Sequence, residues 1–80
     1  MGLYLKIVSP EKTVFDGKVE RVVVPGSSGA FEILVNHAPI ISTLERGTIV
    51  FHDSEGAHEV KTRGGFVEVQ KNNVNVCVEL

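Results

Sequence analysis

The sequence predicts an all-β fold of two packed antiparallel sheets, and three observations lead there. Glycine or proline recurs at positions 10, 17, 25, 26, 29, 39, 47, 56, 64 and 65, leaving no stretch suited to a helix of about ten or more residues. The segments between are rich in Val, Ile and Phe, whose branched or aromatic side chains suit a pleated, half-buried surface. Strand and turn signals repeat about every ten residues with one-sided apolar faces, the pattern of sheets that cover each other.

In chain order, Leu3, Leu5 and Ile7 alternate with Tyr4, Lys6 and Val8, a strand signal. Residues 19–24 carry four valines on both parities, which reads as a strand buried on both faces or as one with a bulge. Gly26-Ser27-Ser28-Gly29 has the composition of a phosphate cradle but lacks the Gly-Lys-Ser/Thr ending and a following helix, so it reads as a mobile strand connection. At His37-Ala38-Pro39 the proline holds Ala38 extended and makes a rigid corner. That corner is either a contact surface beside Ile40 and Ile41 or a turn whose isoleucines enter the core. Asp53-Ser54-Glu55-Gly56 parts residues 48–52 from 57–63, and Lys71-Asn72-Asn73 parts 66–70 from the last strand, so each pair reads as a hairpin. Val67 and Val69 alternate with Phe66, Glu68 and Gln70. The last segment is the clearest, with Val74, Val76, Val78 and Leu80 on one face and Asn75, Cys77 and Glu79 on the other.

Eighty residues fit one domain, residues 1–80. A chain of this size buries only roughly 60–65% of its unfolded surface, so it gains stability from a partner. It is 42% hydrophobic and 22% charged with a net charge of -2, values ordinary for a folded soluble domain. Eight scattered Lys and Arg against ten Asp and Glu lack the basic footprint of a nucleic-acid binder. The single Cys77 cannot form an internal disulfide, which fits a reducing, cytoplasmic compartment. No apolar run nears the roughly 20 residues of a membrane helix and the N-terminus lacks a signal pattern, so any membrane link passes through another protein.

His37, His52 and His58 are the only histidines. His52 and His58 face each other across the 53–56 turn in one arrangement, but ligand-type spacing is missing and no metal site is assigned. Cys77 lies on the polar parity of the last strand and reads as a partly buried thiol; a hydrolase built on it needs a histidine beside it. No set of base, nucleophile and orienting group is visible, so no catalytic residue, cofactor or small-molecule ligand is assigned. An adapter that binds a peptide by strand addition at a sheet edge stays open as an alternative.

Val24-Pro25-Gly26-Ser27-Ser28-Gly29-Ala30-Phe31-Glu32-Ile33-Leu34, then Asn36-His37-Ala38-Pro39, then Leu44-Glu45-Arg46-Gly47 together resemble the signature of the epsilon subunit of bacterial F-type ATP synthases. Leu5-Lys6-Ile7-Val8-Ser9-Pro10-Glu11 with Phe15-Asp16-Gly17 resembles the family's opening. Gly64-Gly65-Phe66-Val67-Glu68-Val69 with Asn73-Val74-Asn75-Val76 resembles its closing hairpin, so essentially the whole chain is covered. The resemblance implies a flattened antiparallel β-sandwich of about ten short strands, the N-terminal domain of a non-catalytic rotor subunit. It implies a place at the foot of the central stalk, between the gamma subunit and the c ring, coupling proton translocation to ATP synthesis. Such a subunit is peripheral to the cytoplasmic face of the inner membrane and held there by its partners.

Carried over by position, Gly26, Ser27, Ser28, Gly29 and Ala30 would form the loop facing the c ring, where small residues permit close backbone approach. His37, Ala38, Pro39, Ile40 and Ser42 would meet gamma. The family's loop often carries an acidic residue near positions 28 and 30, where this chain has Ser28 and Ala30, so apolar and backbone contacts would carry that side. The family usually continues into two C-terminal helices that inhibit ATP hydrolysis, whereas this sequence stops at Leu80. The expectation is a constitutive coupling subunit without that brake.

Overall fold

A computed structural model describes residues 2–80, which form nine strands and no helix. The strands are β1 (Leu3–Val8), β2 (Thr13–Val19), β3 (Arg21–Val24), β4 (Phe31–Ile33), β5 (Ile40–Leu44), β6 (Gly47–Asp53), β7 (Gly56–Thr62), β8 (Gly64–Gln70) and β9 (Asn73–Glu79). They make a sandwich of a five-stranded sheet, ordered β2-β1-β9-β8-β5, and a four-stranded sheet, ordered β4-β3-β6-β7. Every ladder is antiparallel except β1 against β9, which runs parallel from Tyr4↔Asn73 to Val8↔Cys77. Alternation tells which face a side chain takes, not which way the neighbouring strand runs, so the wholly antiparallel expectation misses this pair. Parallel neighbours need a crossover, and the seven strands between β1 and β9 supply it.

The core lies between the sheets. Leu3, Leu5 and Ile7 of β1, Val67 and Val69 of β8, and Val74, Val76 and Val78 of β9 turn inward, as their alternation predicts. They meet Val22, Val24, Ile33, Ile49 and Phe51 of the other sheet. Phe15 of β2 and Phe51 of β6 join the layers with ring centroids 4.4 Å apart. Leu80 departs from the expected parity: β9 ends at Glu79 and Leu80 is exposed.

Residues 19–24 are neither a doubly buried strand nor a bulge. β2 ends at Val19, the Glu20 N–H donates to the His52 carbonyl oxygen at 2.7 Å, and β3 begins at Arg21 in the other sheet. Crossing between sheets moves the inward positions from Val19 to Val22 and Val24, so valines occupy both parities.

Both expected hairpins form, with slightly longer strands. β6 and β7 close at Asp53↔Gly56, and Asp53 Oδ1 accepts from the Glu55 N–H at 2.8 Å. β8 and β9 close at Gln70↔Asn73 around Lys71 and Asn72, whose φ values of 51° and 64° meet the demand of a type I′ turn.

Thr62 turns the corner from β7 to β8. Its buried hydroxyl lies 2.7 Å from the Gly64 carbonyl oxygen and 3.2 Å from that of Glu79, and accepts from the Gly64 N–H at 3.1 Å. Thr62→Val keeps the shape and removes these bonds, so urea unfolding is expected to show a loss of about 1–3 kcal/mol. A loss below about 0.5 kcal/mol would show that the orphaned backbone groups find other partners.

Candidate interaction surface

β5, an edge strand of the larger sheet, organises both predicted contact regions. The chain reaches it from β4 through a turn closed by the His37 N–H donating to the Leu34 carbonyl oxygen at 3.1 Å. Asn36 occupies the third position of this turn at φ 66°, the left-handed backbone that a type II turn requires there. Pro39 then keeps Ala38 extended into the strand. His37 Nδ1 lies 2.7 Å from the Ala38 carbonyl oxygen, which can only accept, so Nδ1 is the donor of this bond. The Phe31 and His37 rings lie 6.4 Å apart.

At the other end of β5, roughly 13 Å away by the usual rise of a strand, the loop of Gly26 to Ala30 is tied down. Gly26 bridges to Leu44, the Ser27 N–H donates to the Thr43 carbonyl oxygen at 3.0 Å, and Thr43 Oγ1 donates to Ser27 Oγ at 2.9 Å. The Gly29 N–H donates to the Gly26 carbonyl oxygen at 2.9 Å, closing a β-turn. The loop is therefore a pinned turn and not the mobile connection that composition predicts. Gly26 is buried, while Ser27, Ser28, Gly29 and Ala30 are exposed.

The structure divides the isoleucines that the sequence left open. Ile40 is half-buried against the core, and Ser42 shares its parity with Ile40 and Leu44. Ile41 points outward and is 75% exposed, more than any other large apolar side chain among the described residues. Of the five residues carried over to the gamma contact, Ala38 and Pro39 are exposed at the corner and His37 is half-buried there; Ile40 and Ser42 lie on the core side of β5.

Ile41 heads an apolar band on the outer face of the larger sheet. Phe66 of β8, 47% exposed, lies diagonally across from it, followed by Cys77 of β9 and Val8 of β1. Two shallow depressions border the band, one of about 360 Å³ lined by Val8, Pro10, Phe66 and Cys77, the other of about 370 Å³ lined by Pro39, Ile41 and Glu68. Sequence reasoning carried over no member of this band as a site residue. The signal was present: once Leu44 is inward, counting back along β5 puts Ile40 inward and Ile41 outward.

The histidines do not converge. His52 pairs with Ala57 and His58 with Phe51, which places the two on opposite faces. His58 stacks on Phe51 with centroids 5.2 Å apart, and its Nε2 donates to Asp53 Oδ1 at 2.9 Å. That bond first, and the Glu55 N–H second, hold the Asp53 carboxyl below its usual value. His52 Nδ1 accepts from Arg21 Nε at 3.2 Å, and Arg21 also pairs with Glu32 at 3.2 Å. Among the described residues no three His, Cys, Asp or Glu side chains gather closely enough to hold a metal ion. No histidine lines the depression at Cys77.

The sequence model of the family described as "ATP synthase, Delta/Epsilon chain, beta-sandwich domain" matches residues 2–80. The chain belongs to this family. Its relatives in the delta/epsilon chain family include the ATP synthase epsilon chain of Leptospira borgpetersenii serovar Hardjo-bovis (strain JB197), 40% identical over 77 residues that cover 96% of this chain and 61% of the relative. The ATP synthase epsilon chain of Desulfitobacterium hafniense (strain DSM 10664 / DCB-2) is 43% identical over 75 residues, covering 94% of this chain and 57% of the relative. The chain thus spans about three-fifths of the length of these curated relatives.

Among solved structures, this β-sandwich superposes on a chain of the Euglena gracilis mitochondrial ATP synthase (OSCP/F1/c-ring, rotational state 1). The TM-score is 0.89 at 16% identity, over 96% of this chain and 50% of that one. A chain of the Tetrahymena thermophila mitochondrial ATP synthase (central stalk/c-ring) gives 0.81 at 17% identity, over 100% of this chain and 65% of that one. At such identities the superpositions establish the β-sandwich fold alone.

Proposed function

We propose that this chain is a non-catalytic rotor element of a bacterial F-type ATP synthase, joining the gamma subunit to the c ring at the cytoplasmic face of the inner membrane. The observation that carries the reading is β5, with a rigid corner and the exposed Ile41 at one end and a pinned turn of small residues at the other. One stiff element offers two separate contact surfaces. The band from Ile41 to Val8, with Ile41 and Phe66 exposed and Cys77 and Val8 half-buried, suits a protein partner, because adjoining apolar groups on an outer face mark interaction sites. Small residues at the turn let another backbone come close. The assemblies named for the two structural neighbours, an OSCP/F1/c-ring and a central stalk with its c ring, support the same setting. A densely packed sandwich transmits torque between such partners with little deformation.

Size-exclusion chromatography with light scattering tests the reading, using the chain mixed with the gamma subunit of the same organism. A one-to-one complex is expected. A folded chain that elutes alone overturns the reading and favours strand addition at β7, which ends the smaller sheet.

Ser28 is exposed on the pinned turn, at one of the positions where the family often carries an acid. Ser28→Glu is expected to keep ATP-driven proton pumping in reconstituted vesicles within about twofold, as for most surface substitutions. Loss of pumping would show that the turn meets its partner through a neutral side chain.

A further inference from the structure

The turn that delivers His37 is joined to the β8–β9 hairpin turn through two asparagine side chains. The Asn36 N–H donates to Asn72 Oδ1 at 2.6 Å, and Asn72 Nδ2 donates to Asn36 Oδ1 at 3.3 Å. Both residues have left-handed backbone, at φ 66° and 64°. Asn72 is itself anchored, since its carbonyl oxygen accepts from the Tyr4 N–H of β1 at 2.9 Å. Residues 34–39 belong to no strand, and besides the His37 Nδ1 bond to the neighbouring Ala38 carbonyl oxygen their other hydrogen bond is the one that closes the Leu34–His37 turn. The amide of a turn's third residue is not used by the turn's own hydrogen bond, and here Asn72 takes it.

We propose that Asn72 is a positioning residue for the His37 corner: its side-chain amide clamps Asn36 in the left-handed conformation and so sets the path of His37-Ala38-Pro39 into β5. The consequence for partner binding rests on the reading of that corner as the gamma contact. A corner held in one conformation loses less conformational freedom on binding than a free one. Asn72 acts on the partner through Asn36, from a hairpin whose own shape does not depend on the clamp.

Asn72→Gly separates the two roles. Glycine adopts φ near 64° without strain and is favoured in a two-residue hairpin turn, so β8 and β9 stay paired while the clamp is lost. Hydrogen exchange at the Asn36 amide, followed by NMR in the whole chain, is expected to quicken about tenfold, the equivalent of one net hydrogen bond. The melting temperature should stay within a few degrees, and affinity for gamma should fall roughly five- to tenfold. Asn72→Asp keeps the acceptor for the Asn36 N–H and should restore slow exchange and most of the affinity. Unchanged exchange at Asn36 in Asn72→Gly overturns the proposal, as does faster exchange with undiminished affinity. If the unaltered chain does not bind gamma, the contact reading fails, and exchange alone then upholds or overturns the clamp.

Discussion

Replacing Gly65 with alanine is expected to remove much of the stability of the fold. Gly65 sits at φ 145°, and a Cβ there would lie 1.9 Å from the Cys77 carbonyl oxygen and 3.1 Å from the Val78 Cα. Those atoms are backbone of β9, which is paired with β8 on one side and β1 on the other, so neither can retreat without opening a ladder. Backbone strain and overpacking each amount to about 1–3 kcal/mol. A chain of 80 residues holds only about 4–12 kcal/mol in total, so the loss is a large share of it. Gly56→Ala is the control, because Gly56 has a similar φ of 117° but nothing within 4 Å of the added carbon. Denaturant unfolding should therefore rank Gly65→Ala well below Gly56→Ala. Equal midpoints would mean that β8 and β9 do not approach closely at Gly65.

Ile41→Asp is expected to leave the fold intact and to abolish most of the affinity for gamma. The side chain is 75% exposed on an edge strand, so the substitution changes stability by no more than the β-propensity difference, about 1 kcal/mol. In the complex the carboxylate would be buried against an apolar partner. Central contacts of this kind lose about 2 kcal/mol or more, roughly thirtyfold in affinity. Ile40→Asp, one position away, should instead unfold the chain, because Ile40 packs on the core. Calorimetric titration of gamma with the folded Ile41→Asp chain decides the matter; wild-type affinity would move the contact to another face.

Much of this was legible in alternation. β1, β8 and β9 are half-buried strands whose inward valines, leucines and isoleucine follow a period of two, and the two hairpins follow from their turn residues. The corner at Glu20 was not, because a strand that changes sheets shifts its inward parity, and that shift resembles a bulge in the sequence. Direction was hidden as well: nothing in Leu3 to Val8 tells that its neighbour is a parallel β9. Of the candidate surface, the His37 corner was visible through Pro39, whose ring limits the backbone wherever it occurs. The separate fates of Ile40 and Ile41 follow by parity from Leu44, but that Leu44 faces inward needed the fold. The link between Asn36 and Asn72 needed the fold, since no local rule joins residues so far apart in sequence.

The place of β9 governs the order in which the molecule can assemble. It is the ninth strand in sequence but the middle of its sheet, with β2 and β1 on one side and β8 and β5 on the other. During synthesis β1 and β2 can form their hairpin early, yet β1 waits with one edge of unpaired N–H and C=O groups until residues 73–79 leave the ribosome. Pairing β1 with β9 brings together strands about seventy residues apart, a longer closure than any other ladder of the sandwich requires, and such non-local pairing slows folding. Without β9 the larger sheet falls into two fragments, β2-β1 and β8-β5, whose open edges can pair with those of other molecules, so insertion of β9 is the step that closes the sheet against aggregation.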